Sequence, residues 1–335
     1  MVFDKVKLVS NRFTAIVSAA AVTAAVVGLS VSAVNSQGAA VKVDGSSTVF
    51  PITEKVAEAS RKAGGANVTV GVSGTGGGFK KFCAGDTDIS NASRPILAKE
   101  IAACKAKGVK YIELPIAFDA LTVVVNPSNT WASNLTTAEL KKIWEPGSAV
   151  KNWKEVRASF PNQPLKLFGP GADSGTFDYF TEAINGKAKA SRKDFTASEN
   201  DNVLVQGVSR DKGGLGYFGY AYFKANQQRL RAVKIGGVMP GEKSVENGTY
   251  TPLSRPLFIY VKADSAKKPE VKKFVEYYLK NGGKIADSVG YIGLPPRAYT
   301  AAAARFKAGK TGSIFGGKEA IGLKIDELLS RELQD

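Results

Sequence analysis

Three short stretches of this sequence share one composition. "GSSTV" (Gly45–Val49), "SGTGGG" (Ser73–Gly78) and "DSGT" (Asp173–Thr176) each combine glycine with hydroxyl side chains. Each follows a strand-like apolar run and precedes a helix-like one. The first N–H groups of a helix have no intrahelical partner, and the helix dipole makes that end partly positive. Hydroxyls placed there cap the helix or, with the free N–H groups, hold an anion. Glycine lets the backbone approach closely and turn its N–H groups inward. One such turn reads as a cap. Three meeting beyond the carboxyl ends of their strands would surround a single oxyanion with donors.

Other chemistries fail on residue type or spacing. The chain has no histidine, which excludes Ser-His-Asp and Cys-His nucleophile systems. Two cysteines cannot make a four-cysteine zinc site, so neither a metal nor another cofactor is expected. No stretch fits the G-x-x-x-x-G-K-[ST] phosphate loop. "GTGGGF" puts Phe79 where a dinucleotide fingerprint needs its last glycine, and "GVSGT" lacks the final glycine of a nucleophile elbow. The net charge of +16 favours anionic partners or serves solubility on a basic scaffold. Lysine and arginine are spread along the chain, and the densest run, "KAKASRK" (Lys187–Lys193), lacks interleaved aromatics, so nucleic acid is not an expected partner.

The segment 1–40 has Lys5, Lys7 and Arg12, then no charge from Phe13 to Val41. A basic start, an apolar centre and small residues after it are the pattern of a secretory signal, cut after Ala33 or Ala40; an uncleaved membrane anchor is the alternative. No cysteine precedes Cys83, so a lipoprotein is not expected. Export gives the cysteines meaning: Cys83 and Cys104, 21 positions apart, read as a disulfide, with two buried free thiols as the other reading.

The elements that must position the turns follow from length and pattern. A chain of 335 residues, 44% hydrophobic and 23% charged, builds about two domains with ordinary cores. Strands are expected at Val41–Val43, Val68–Val72, Asp88–Asn91 and Tyr111–Ile116, with helices from Pro51 to Gly64, around Phe79–Cys83 and over Ala98–Lys107. This alternation predicts an α/β fold with largely parallel sheets. "ALTVVVNP" (Ala120–Pro127) is a further strand, and Thr136 with Glu139 has capping-box spacing. "LKLFG" reads as a strand, "GLGYFGYAYF" as a strand with an aromatic continuation, and "RPLFIYVK" as a buried strand. Lys268–Gly283 is an amphipathic helix with proline at its start and glycine at its end.

Together "DGSSTVFPITEKVAE", "VSGTGGGFKKFCAGDTDISNASRPI", "GPGADSGTFDYFTEAI" and "PLSRPLFIYVK" resemble the PstS kind of phosphate-binding protein, and more narrowly its SphX-like cyanobacterial branch. The resemblance covers Val41 to Arg297. It implies a two-lobed periplasmic-binding-protein (Venus flytrap) fold, with inorganic phosphate held between the lobes and delivered to the membrane permease of an ABC importer. The first lobe would be 41–118 with 257–335, including a C-terminal helix, and the second 119–256. "IAFDALTVVV" and "LSRPLFIYV" would be the crossings. The protein would be a periplasmic monomer and not an enzyme.

By motif, the resemblance places phosphate against Ser47, Thr48 and Val49, then Ser73, then Ser174, Gly175 and Thr176. Better-known members carry an Asp where this chain has Arg94, and an Arg where it has Pro170. The positive charge is accordingly expected at Arg94, as a bidentate contact. A buried carboxylate would accept the proton that phosphate carries and sulfate lacks, rejecting sulfate by an unpaired lone pair and like charge. Asp201 is the candidate, with Asp173, Asp178 and Asp88 behind it. Two other readings compete: a basic cell-surface protein that binds acidic polymers, and a cell-surface phosphate-ester hydrolase.

Overall fold

The computed structural model describes residues 40–334, so the expected leader lies outside them apart from Ala40. The chain begins with β1 (Val41–Gly45), α1 (Phe50–Lys62), β2 (Val68–Val70), α2 (Gly74–Ala84), β3 (Ile89–Ala92) and α3 (Ala98–Ala106). β4 (Tyr111–Ala120) then passes almost directly into β5 (Thr122–Val125). Next come β6 (Asn134–Leu135), α4 (Thr137–Trp144), α5 (Trp153–Val156), β7 (Lys166–Pro170), α6 (Gly175–Asn185), β8 (Thr196–Ser198) and α7 (Asp201–Arg210). β9 (Gly214–Phe218), α8 (Tyr220–Ala225), β10 (Arg231–Ala232), β11 (Lys234–Ile235) and α9 (Glu242–Glu246) complete this part. β12 (Ser254–Lys262) leads back, followed by α10 (Pro269–Ser288), α11 (Pro296–Ala308) and α12 (Ile325–Gln334).

Ten of these strands form two five-stranded sheets, ordered β2-β1-β3-β12-β4 and β10-β5-β9-β7-β8, and β6 pairs with β11 in a two-stranded sheet. The α/β class and two-lobed fold hold, but both sheets are mixed rather than largely parallel. β1 is parallel to β2 and β3, while β12 is antiparallel to β3 and β4. β7 is parallel to β8 and β9, while β5 is antiparallel to β9 and β10. The cause is the double crossing: the chain leaves the first sheet along β4 and returns along β12, so these long strands must run in opposite directions. The expected crossing points, after Phe118 and after Pro256, fall inside this paired ribbon, where Phe118 faces Pro256.

Packing explains where local signals were overridden. "SGTGGG" is less a turn than the start of α2, which begins at Gly74. A Cβ at Gly78 would lie 2.5 Å from Gly45 Cα, so only glycine lets this helix touch β1. α10 runs past Gly282 and Gly283 to Ser288. A Cβ on Gly283 would lie 2.9 Å from the Tyr299 ring, so that glycine serves helix packing rather than a stop. The aromatic continuation after β9 is the short helix α8, not strand.

The first sheet buries Val43, Ile89, Leu114 and Ile259 against α1 and α10, through Ile52, Val56, Phe274 and Tyr278. In the second half, Trp144 packs edge-on against Phe180, Phe195 and Tyr217, with centroids 5.8, 5.4 and 4.9 Å away. Cys83 in α2 and Cys104 in α3 are disulfide-bonded across a separation of 21. Replacing both by Ser removes a loop constraint worth about 3 kcal/mol in the chain-entropy treatment. The expected outcome is a lower denaturant midpoint, with a slope no smaller than wild type because the unfolded chain is released to expand; identical curves for variant and wild type would exclude a stabilising bridge.

Candidate anion-binding site

The first turn divides its hydroxyls between two tasks. Ser46 Oγ accepts from Val49 N–H at 3.4 Å and so closes the turn that leads into α1. Ser47 and Thr48, both buried, are engaged elsewhere. Ser47 Oγ donates to Asp201 Oδ2 at 3.3 Å, and Thr48 Oγ1 lies 3.0 Å from Thr176 Oγ1. The third turn repeats the division: Ser174 Oγ accepts from Thr176 N–H at 3.1 Å, capping α6, and Thr176 Oγ1 meets Thr48.

The second turn differs from expectation. Ser73 donates its N–H to Gly45 O and its hydroxyl to Asp44, so its hydroxyl is engaged at the end of β1 rather than with Ser47, Thr48 or Thr176. Thr75, two residues on, takes its place. Thr75 Oγ1 lies 3.1 Å from Ser93 Oγ and accepts from Ser93 N–H. A Cβ on Gly175 would lie 2.4 Å from Thr75 Oγ1 and 2.7 Å from Ser93 Oγ, so glycine is required for the third turn to approach this close.

The guanidinium at this meeting point is that of Arg255, not Arg94. Arg255 is fully buried on β12. Its Nη2 donates to Thr176 Oγ1 at 2.8 Å, to Asp119 Oδ2 at 2.9 Å and to Thr48 Oγ1 at 3.3 Å. Nε also reaches Asp119, at 3.2 Å. Asp119 is the cross-strand partner of Arg255 on β4, and its other oxygen accepts Tyr220 N–H at 2.9 Å. Arg94 is turned elsewhere: Nε donates to Asp178 at 2.9 Å, and Nη1 and Nη2 donate to Glu100 at 2.8 and 2.7 Å. Nη1 also reaches Pro95 O. Its Nε, Nη1 and Nη2 are thus all engaged by Asp178, Glu100 and Pro95 O.

Among the candidate carboxylates, only Asp201 joins the cluster. It is buried at the first position of α7, held by Ser47. Its pKa is pushed up to about 7 by burial, against the opposing charge of Arg255 and the Ser47 hydrogen bond, with Asp119 and Glu199 adding repulsion. Asp178 is taken by Arg94. Asp88 ties Lys42 N–H, Ser265 and Lys268 together. Asp173 forms an ion pair with Lys80 at 2.9 Å, both side chains well exposed.

Thr75, Ser93, Asp119 and Arg255 escaped the sequence reading as site residues. Thr75 stood inside a turn already singled out. Arg255 stood inside "LSRPL", where it read as part of a buried strand. Among the described residues no group of three or more His, Cys, Asp or Glu could hold a metal, and no helix is long and apolar enough to cross a membrane.

Comparison with known proteins agrees with this geometry. A profile described as a PBP superfamily domain matches residues 30–281. SphX of Synechococcus elongatus is 55% identical over 306 residues, 89% of this chain and 90% of that protein. The phosphate-binding protein PstS of Staphylococcus haemolyticus is 41% identical over 267 residues, 77% of this chain and 82% of that one. A crystal structure of a possible phosphate binding protein from Planctomyces limnophilus is 52% identical, with a TM-score of 0.60, covering 81% of this chain and 98% of that chain. Two mixed sheets joined by paired crossing strands, with helix N-termini gathered at the crossing, define a two-lobed α/β binding-protein fold. The chain belongs to the PBP superfamily and, within it, to the family of SphX and PstS.

Arg255→Met would leave Asp119 buried without its cation. At neutral pH the fold is expected to lose about 3–5 kcal/mol of stability, the usual cost of breaking a buried pair from one side. Adding Asp119→Asn should recover part of that loss. A stable single variant, or no recovery in the double variant, would show that the pair does not hold the crossing.

Proposed function

We propose that this chain is the substrate-binding component of a phosphate ABC importer, capturing inorganic phosphate where its two lobes meet and delivering it to the membrane permease. One observation carries the reading: Ser47, Thr48, Thr75, Ser93 and Thr176 converge with the guanidinium of Arg255, opposite the buried carboxyl of Asp201. The N-termini of α1, α2 and α6 add their dipoles to the same region. The charge of the ligand is met mainly by neutral donors, since Arg255 is already paired with Asp119.

In this reading Ser47, Thr48, Val49, Gly175 and Thr176 contact phosphate through hydroxyl or N–H groups. Ser174 contributes through its helix cap, while Thr75 and Ser93 act in place of Ser73. Arg255 takes the role first expected of Arg94. Asp201 accepts a hydrogen bond from the protonated oxygen of the bound phosphate. The lobes are 41–118 with 257–335, and 119–256, closing on the ligand by bending at the β4–β12 ribbon. The protein is a monomer exported by the leader 1–40 and works outside the cytoplasmic membrane. It acts by binding alone, with no histidine to serve as acid or base.

The test is calorimetric titration of the phosphate-stripped chain with phosphate and with sulfate. At pH 8 one-to-one binding of phosphate and none of sulfate is expected. Sulfate alone, or neither anion, would overturn the reading, and the second result would favour acidic polymers. Release of p-nitrophenol from p-nitrophenyl phosphate would point to a hydrolase instead.

Asp201 also sets a pH dependence. Its folded pKa of about 7 lies above its ordinary 3.8, so the stability it contributes is full below that lower value and declines as pH rises through about 7. The same protonation turns the carboxyl from acceptor to donor. Preference for phosphate over sulfate should therefore be greatest above pH 7 and shrink as pH falls below it. Asp201→Asn should bind sulfate roughly a hundredfold more tightly than wild type at pH 8, the scale of an unpaired buried charge removed. A selectivity indifferent to pH and to this substitution would show that another group accepts the proton.

A further inference from the structure

We infer that Tyr291 is an anion-contacting residue of this site, donating its phenolic hydrogen to an oxygen of the bound tetrahedral oxyanion; the inference rests on the phosphate-binding reading above. Tyr291 lies in "GYIGLPP", between α10 and α11, a stretch that the sequence motifs did not bring to the site.

The backbone around it is pinned. Tyr291 N–H donates to Ala286 O at 2.9 Å. The next residue, Ile292, exchanges two hydrogen bonds with Phe118 on β4, at 2.7 and 3.1 Å. Phe118 immediately precedes Asp119, so Tyr291 is anchored beside the carboxylate that holds Arg255.

The side chain is 3% exposed, yet its hydroxyl has no hydrogen-bond partner among the described residues. Leaving a buried hydroxyl unpaired is costly, and such groups in native proteins call for a reason. The surroundings supply one. The point where a Cβ on Gly219 would stand is 3.1 Å from Tyr291 Oη, 2.9 Å from Thr48 Cγ2 and 3.5 Å from Thr48 Oγ1. The Tyr291 hydroxyl and the Thr48 side chain thus border one small space, kept open by the absent side chain of Gly219. The charges that act on Tyr291 are those of the site itself: Asp119, Asp201 and Arg255, with Tyr222 beside them. Burial, the largest influence, holds its pKa well above the ordinary value, so the phenol stays neutral and keeps the proton it would donate.

Tyr222 serves a different purpose. Its hydroxyl donates to Ser47 O at 2.9 Å, linking α8 to the first turn, and so is already engaged. Tyr291 alone of the two has a hydroxyl free to meet a ligand.

The test compares Tyr291→Phe with the wild-type chain, both stripped of phosphate, by phosphate calorimetry at pH 7.5 and by thermal unfolding with and without phosphate. Phosphate affinity is expected to fall by about ten- to a hundredfold, the scale of one hydrogen bond to a charged partner. Without phosphate the variant should melt no lower than wild type, because only an unpaired hydroxyl is lost, while its phosphate-induced rise in melting temperature shrinks. A second variant, Gly219→Ala, fills the shared space and should weaken phosphate binding with Tyr291 intact. Wild-type affinity in Tyr291→Phe would overturn the inference. So would a loss of affinity accompanied by an equal loss of ligand-free stability, which would make Tyr291 a packing residue. A wild-type chain that binds no phosphate would overturn the function reading and this inference together, whereas binding unchanged by Tyr291→Phe would overturn only this one.

Discussion

The pairing of Arg255 with Asp119 is the constraint around which the rest of the structure is arranged. The two residues face each other across β12 and β4, the strands that carry the chain out of the first sheet and back into it. Both side chains are fully buried. A buried ion pair survives only when its remaining hydrogen-bonding capacity is met. Here the first turn supplies Thr48, the third supplies Thr176 and Gly175 O, and the start of α8 supplies Tyr220 N–H. Elements of both sheets are thus held to one point by the needs of one pair of charges, and that point is where an oxyanion would be met.

Around it the hydroxyl-rich turns divide their side chains between the helix ends and the space where the turns meet. Ser46 closes the turn before α1, and Ser174 caps α6. That frees Ser47, Thr48 and Thr176 to face inward, with Thr75 and Ser93 completing the set. Glycine at 175 and 219 sets how closely these groups come together, because a methyl group at either position would press on a hydroxyl-bearing side chain. Hydroxyl dipoles dominate the cluster; of its two buried carboxyls, Asp119 is paired with Arg255, while Asp201 is held by the Ser47 hydroxyl.

A second buried charge cluster lies beside the first and performs a structural task. Arg94, from the loop after β3, joins Glu100 at the start of α3 to Asp178 in the first turn of α6. Glu319 comes within 3.7 Å of Arg94, and burial pushes its pKa up to about 8. The same C-terminal stretch accepts Ala98 N–H at Gly317 O and donates Gly322 N–H to the Tyr179 hydroxyl. Leu328 and Leu329 of α12 are buried in the same core as Tyr250 and Leu253. The C-terminal segment therefore packs against both halves.

Local physics made much of this legible in the sequence. Capping-box spacing at Thr136 and Glu139, proline in the first turns of α1 and α10, and hydroxyl-glycine turns before α1 and α6 are short-range signals, and they formed as read. The absence of histidine and the composition bounded the chemistry before any fold was considered. What the sequence left open was long-range. Whether Arg94 or Arg255 meets the hydroxyls depends on which carboxylates fold beside each: Glu100 and Asp178 claim the first, while Asp119, 136 positions from Arg255 along the chain, orients the second. Ser73 and Thr75 sit in one turn, and only the helical start at Gly74 decides which of them faces inward. Tyr291 carries no local mark, since its position follows from the bridge between Ile292 and β4. Sequence determined the kinds of donor and their helix ends. Tertiary structure decided which of them share a point in space, because burial and charge pairing act between residues that spacing along the chain does not relate.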